Sequence, residues 1–157
     1  MTDNKQLIQK FYTAFANNDA ETMCECYHPN IQFEDPAFGK LKGNDVCQMW
    51  KMLLEKSKGN IKIEFSDIKA NDYSGSAKWI ATYNFSKTNR RVVNNISAEF
   101  KFSEGLIIKH TDHFDIWKWS KQALGIKGIL LGWTGFFQKK IQKQANLSLK
   151  KYNQTNS

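Results

Sequence analysis

The sequence predicts an α+β domain: helices at the front of the chain, then long antiparallel strands, with the helices on one side of the sheet. Three observations carry this. The hydrophobic period is helical through most of the first sixty residues and changes to two after Gly59. A chain of 157 residues, 41% hydrophobic and 13% aromatic, is large enough for one sizeable core and too apolar for disorder. Its only prolines, Pro29 and Pro36, lie near the front and leave the middle free for uninterrupted strands.

The elements follow in order. Asp3 can cap a first helix, with Gln6 completing a partial capping box, and Leu7, Ile8, Phe11, Tyr12 and Phe15 form its apolar stripe. Asp19 caps a second, shorter helix that runs through Tyr27 and is stopped by Pro29. Ile31 and Phe33 alternate with Gln32 and Glu34 in a short strand ending at Asp35-Pro36, and Gly39 and Gly43 bound a loop. Val46, Trp50, Leu53 and Leu54 stripe a third helix that ends near Gly59. Strands then carry Ile61, Ile63 and Phe65; Trp79, Ala81, Tyr83 and Phe85; and Ile96, Ala98, Phe100 and Phe102. Thr88-Asn89 and Ser103-Glu104-Gly105 are the turn signals between them, and a last strand runs from Leu106 to about Trp117.

Charge divides the chain more sharply than hydropathy. Residues 1–115 hold 15 basic and 15 acidic side chains, whereas residues 116–157 hold eight lysines and no acid. This predicts a neutral domain over residues 1–117 and a basic, aromatic-rich helical tail over 118–157, packed on the domain or appended to it. The three cysteines, Cys24, Cys26 and Cys47, cannot all pair. Cys24 and Cys26 also diverge by about 200° on a helix. Reduced thiols and a cytoplasmic location are expected, and the polar start from Met1 to Lys10 carries no apolar targeting core.

Several runs resemble the nuclear transport factor 2-like superfamily, in its ketosteroid isomerase and polyketide cyclase (SnoaL-like) branch. They are Ile8-Gln9-Lys10-Phe11-Tyr12-Thr13-Ala14-Phe15, Asn18-Asp19, Phe33-Glu34-Asp35-Pro36, Ala98-Glu99-Phe100-Lys101-Phe102 and Gly105-Leu106-Ile107-Ile108. The segment from His110 through Asp112, Phe114, Asp115, Trp117 and Trp119 to Gln122-Ala123-Leu124-Gly125 is similar to a ketosteroid-isomerase-related subgroup. The resemblance implies a cone-shaped sheet that encloses a pocket with three N-terminal helices, a homodimer, and chemistry without cofactor or metal.

By that resemblance, Asp35 occupies the place of the general base of ketosteroid isomerases, while the two oxyanion-hole donors fall on Phe11 and Ala98. Neither can donate a side-chain hydrogen bond, so steroid isomerisation by the family mechanism is not expected. SnoaL-like cyclases use an aspartate on the last strand as acid or base, a place that corresponds to Asp112. By alternation His110, Asp112 and Phe114 share one face and His113 takes the other, which argues against a two-histidine metal site. Epoxide hydrolysis of the limonene type needs an arginine between carboxylates; Arg90 and Arg91 sit instead at a hairpin end.

Asp35, Asp112 and His110 are therefore the predicted catalytic residues, and Phe11, Phe15, Trp50, Trp79, Tyr83, Phe85, Ala98, Phe100 and Phe114 the predicted pocket lining. Competing structural readings stand beside these. Asp35 before a proline also organises a turn, His110 and Asp112 also read as a satisfied buried pair, and the aromatics as plain core. An isomerase- or cyclase-like proton transfer on an apolar carbonyl compound is the predicted activity; a lipid- or small-molecule-binding protein without turnover is the alternative.

The tail places Ile126, Ile129, Leu130, Leu131, Trp133, Phe136 and Phe137 among four glycines, too short and broken to cross a bilayer. From Thr134, Phe137 and Ile141 oppose Lys139 and Lys143. Docking on the domain or on a dimer partner is the first expectation and an anionic membrane surface the second. Nucleic acid comes last, since lysines without an arginine cluster give little specificity.

Overall fold

Helix α1 (Asp3–Ala16) lays Ile8, Phe11, Tyr12, Ala14 and Phe15 into the core, the stripe expected from their spacing. Asp19 caps α2 (Ala20–Glu25) by accepting from the Thr22 amide at 3.1 Å. Strand β1 (Tyr27–Asp35) and β2 (Gly39–Lys42) form a hairpin, and α3 (Asn44–Ser57) follows, ending at Lys58 in the left-handed conformation. Then come β3 (Lys62–Ala70), β4 (Ser74–Phe85), β5 (Arg90–Ser103) and β6 (Leu106–His113). Three further helices close the chain: α4 (Ile116–Leu124), α5 (Ile126–Leu131) and α6 (Gly135–Thr155). This computed structural model describes residues 3–131 and 134–156, so Gly132 and Trp133 of the predicted tail lie outside the described residues.

The six strands form one sheet in the order β2-β1-β6-β5-β4-β3. All neighbours are antiparallel except β1 and β6, which run parallel, so the sheet is mixed rather than purely antiparallel. β1 reaches β6 because it enters from the helical front of the chain, on the same side as the β5–β6 turn. Glu104 and Gly105 of that turn both have positive φ (54° and 77°), as a tight two-residue hairpin requires.

Register positions the site. Gly75, Phe100, His110, Phe33 and Leu41 lie in one row across five strands. The adjacent row runs Ala77, Ala98, Asp112. Small residues at Gly75, Ala77 and Ala98 leave depth above the sheet, and the aromatics of α1 fill it. A Cβ at Gly75 would stand 2.8 Å from Ile8 Cδ1.

Three sequence expectations are corrected. The second helix ends before Tyr27, which opens β1; Pro29 sits inside that strand on an exposed stretch where no ladder amide is needed. The stretch between Gly39 and Gly43 is a strand, β2, because it pairs back on Gln32–Asp35. The last strand stops at His113: the Asp115 side chain accepts from the Trp117 and Lys118 amides at 3.0 and 3.1 Å and starts α4. Trp117 and Trp119 alternate in sequence but stand on a helix.

The basic segment is woven into the fold. α4 covers β5, burying Trp119 and Ala123 against Val92. α6 packs along α3 and sends Leu149 into the main core. Among the described residues no helix is long and apolar enough to cross a membrane.

Candidate active site

A cavity of about 370 Å³ opens between the concave face of the sheet, α3 and α6. Phe15, Trp50, Trp79, Tyr83, Phe85 and Phe114 line it, together with Asp35 and Asp112. Its size falls in the range of small-molecule sites, and its wall is mostly carbon. Phe11, Ala98 and Phe100 do not reach the wall. Phe11 and Phe100 lie a layer deeper, packed on the His110 ring at centroid distances of 5.5 and 4.6 Å, and Ala98 stands in the sheet beside Asp112. Those three shape the floor under the site rather than the pocket surface.

Five buried side chains form one hydrogen-bonded chain. Trp50 Nε1 donates to Tyr27 Oη at 2.9 Å, and Tyr27 Oη meets His110 Nδ1 at 2.8 Å. His110 Nε2 meets Asp112 Oδ1 at 2.9 Å, and Trp79 Nε1 donates to that same oxygen at 3.3 Å. The donor count assigns the protons. An indole can only donate, so Tyr27 accepts from Trp50 and turns its own hydroxyl toward Nδ1. A neutral imidazole with its proton on Nε2 then donates to Asp112, and every member is satisfied. Asp112 Oδ2 takes no hydrogen bond from a described residue and belongs to a side chain that lines the cavity.

Asp35 sits across the same cavity at the end of β1. Its Oδ1 accepts from the amides of Ala37 and Phe38 at 2.9 and 2.6 Å, the turn expected of an aspartate before proline. One oxygen builds the turn and the other is left for the pocket. Burial pushes the Asp35 carboxyl up to about 7; the charges of Asp112 and Glu34 add to the rise, and the two backbone hydrogen bonds oppose it. The turn and base readings of Asp35 are therefore compatible in geometry.

Tyr83 adds a donor. Its oxygen accepts from Trp119 Nε1 at 2.8 Å, which leaves its hydroxyl proton available at the cavity wall. Burial raises the Tyr83 pKa, the Trp119 hydrogen bond opposes this, and the Asp35 charge raises it further.

Two tyrosines escaped the sequence reading of the site. Tyr27 links His110 to Trp50; it shares odd parity with Ile31 and Phe33, so extending that alternation through Pro29 would have found it. Tyr12, next to the family's donor position at Phe11, is fully buried, and its hydroxyl has no hydrogen-bond partner among the described residues. Burial chiefly, and the Asp112 charge next, raise its pKa well above the ordinary tyrosine value.

Other side chains fall elsewhere. His113 points outward to Glu99 at 3.0 Å. Arg90 Nε donates to the Gln122 carbonyl at 2.8 Å, and neither Arg90 nor Arg91 lines the cavity. Among the described residues no three His, Cys, Asp or Glu side chains gather as a metal site requires.

Comparisons with known proteins agree with this architecture. A candidate polyketide cyclase from Xanthomonas campestris pv. campestris superposes with a TM-score of 0.62 at 18% identity, over 76% of this chain and 96% of that one. Bal32a, from a soil-derived mobile gene cassette, gives 0.67 at 20% identity, over 76% and 95%. An M. tuberculosis LEH-like epoxide hydrolase gives 0.58 at 19% identity, over 83% and 91%. At these identities the likeness is one of fold. No curated protein sequence matches this chain. The model of the SnoaL-like domain matches residues 8–110, from the first turns of α1 to the histidine of the buried relay. The chain thus belongs to the SnoaL-like domain family of the nuclear transport factor 2-like superfamily.

Proposed function

We propose that the protein catalyses proton transfer on an apolar carbonyl compound, in the manner of an isomerase or cyclase. The observation that carries this reading is the pair of carboxyl groups, Asp35 and Asp112, on the wall of one apolar cavity, with Asp35 held near neutrality. Ionised Asp35 takes the proton from the carbon next to the carbonyl. The Tyr83 hydroxyl donates a hydrogen bond to the carbonyl oxygen as enolate charge develops there, in the role that Phe11 and Ala98 cannot fill. The proton then returns to carbon from Asp35, the group that took it, while ionised Asp112 stays hydrogen-bonded to His110 and Trp79. His110 is a positioning residue: its Nε2 proton fixes Asp112, and Tyr27 fixes its ring.

The experiment is exchange of the α-protons of 2-tetralone in D2O, followed by NMR, with Asp35→Asn as the variant. The rate is expected to climb as pH rises through about 7, where Asp35 ionises, and to fall in the variant by roughly a hundredfold. Stability runs the other way. A carboxyl raised in the folded state binds its proton more tightly folded than unfolded, so its contribution is complete below the ordinary value of 3.8 and is lost as pH rises through about 7. Asparagine keeps the turn acceptor and removes the buried charge. Asp35→Asn is therefore expected to melt higher than the native protein at pH 8 and close to it at pH 4. Equal exchange rates in native and variant protein would remove Asp35 from the chemistry.

The second reading, a binding protein without turnover, is favoured by one feature: the inherited oxyanion donors are absent while the apolar cavity is intact. Saturable binding of apolar ketones with no exchange above the buffer rate would decide for it.

A further inference from the structure

The cavity is apolar inside and basic at its edge. Lys56 on α3, Lys87 in the β4–β5 turn and Lys140 on α6 all line it, and all three are exposed, so they stand at its mouth. They come from three separate parts of the chain and converge only in the fold. None makes an ion pair with a described residue. The acids of the wall have a different address. Asp112 is almost fully buried, and Asp35 sits half-buried in the turn that α6 covers. Among the described residues no other acidic side chain lines the cavity.

We propose that the ligand is an amphipathic anion: an apolar body that fills the cavity, with a carboxylate or similar head held at the mouth by Lys56, Lys87 and Lys140. This rests on the pocket reading above and adds the chemistry of one end of the ligand. An anionic head directed inward would meet Asp112 in a low-dielectric wall, which is repulsive. The same head at the mouth meets three ammonium groups and stays in water, so it keeps its hydration while the apolar part is buried. The charge pattern thus fixes orientation as well as class: head out, reacting carbon toward Asp35. Ligand exposed at the mouth also leaves room for a head larger than a carboxylate.

Competition against N-phenyl-1-naphthylamine, an uncharged fluorescent reporter of apolar cavities, tests the inference with decanoate and 1-decanol. The two share a chain and differ in charge. Exposed ammonium groups contribute modestly and are screened by salt, so decanoate is expected to compete at about tenfold lower concentration than decanol in dilute buffer. The advantage is expected to shrink in about 0.5 M salt and to vanish in K56Q/K87Q/K140Q, with the reporter's own affinity measured in each protein so that the decanoate-to-decanol ratio is what is compared. Equal competition by both in the native protein overturns the inference and leaves the pocket standing. So does a decanoate advantage that survives in the triple variant. Failure of the reporter to bind either protein overturns the pocket reading and this inference together.

Discussion

Tyr12 and Tyr27 are both buried tyrosines in the Coulombic field of Asp112, yet the loss of each hydroxyl has opposite consequences. Tyr27 Oη serves two partners, so Tyr27→Phe strands the Trp50 indole proton and the His110 Nδ1 lone pair in the core. Each stranded group costs about 1–3 kcal/mol, and a loss of about 2–4 kcal/mol in urea unfolding is expected. Tyr12 Oη serves none among the described residues, so Tyr12→Phe removes a polar atom without a partner there and is expected to be neutral or stabilising by up to about 1 kcal/mol. A Tyr12→Phe penalty as large as that of Tyr27→Phe would mean that Tyr12 belongs to the relay. At this scale the sequence was readable where parity alone decides. His110 and Asp112 share a face because they are two apart on a strand, and Asp35 lies against the turn that its proline announces. Tyr27 was hidden because Pro29 reads as a helix stop. The meeting of the Cys24 and Cys47 thiols, whose hydrogen bond pushes Cys24 up and Cys47 down, depends on how α2 packs on α3 and leaves no mark on local spacing.

Some limits drawn by local chemistry were legible, although the Asp115 cap that starts α4 was read as strand; the short β2, drawn by pairing, was not legible. The Asp19 cap and the Glu104-Gly105 turn could be read directly from residue type. β2 is four residues long and exists because β1 lies beside it. The glycines after residue 124 look like a helix being weakened, but Gly125, Gly128 and Gly135 serve separate purposes. Gly125 ends α4 with a φ of 66°. Gly128 is the point where α5 crosses α4 so closely that a Cβ would collide with the Ser120 carbonyl. Gly135 begins α6 in open space. Gly128→Ala is therefore expected to cost about 1–3 kcal/mol, because backbone rather than a mobile side chain blocks the methyl group. Gly135→Ala is expected to change little. Denaturation of the two variants side by side checks this, and a harmless Gly128→Ala would show that α5 does not hold the close crossing.

Across the whole molecule, the division at residue 117 marks a change of charge, and the basic segment beyond it packs on the rest of the chain. The boundary at residue 117 falls inside α4. Phe137 and Ile141, which oppose lysines in the helical pattern of the tail, face the cavity, with Gln144, Ala145 and Ser148 continuing the same stripe. Phe136, one residue away, is 80% exposed. An amphipathic pattern states that one face is covered without stating by what, and here the pocket and the core of the same chain cover it. α6 also clasps the turn that carries Asp35: Gln142 Nε2 donates to the Pro36 carbonyl at 3.1 Å and Asn146 Nδ2 to the Phe38 carbonyl at 2.8 Å. The last helix therefore supplies one wall of the pocket and holds the proposed base in place. A chain ended at Leu131 loses Phe137 and Ile141 from the wall and Leu149 from the core. Burying one such side chain is worth about 1.5–3 kcal/mol, so affinity for N-phenyl-1-naphthylamine is expected to fall at least about tenfold, with a lower melting temperature. Gln142→Ala with Asn146→Ala in the full chain tests the clasp without removing the wall. Reporter binding is expected to stay close to native in that variant, while 2-tetralone exchange drops several-fold as the Asp35 turn loosens. Native affinity in the shortened chain would show that the sheet and α3 form the pocket unaided, and native exchange in the double variant would show that the Asp35 turn needs no support from α6.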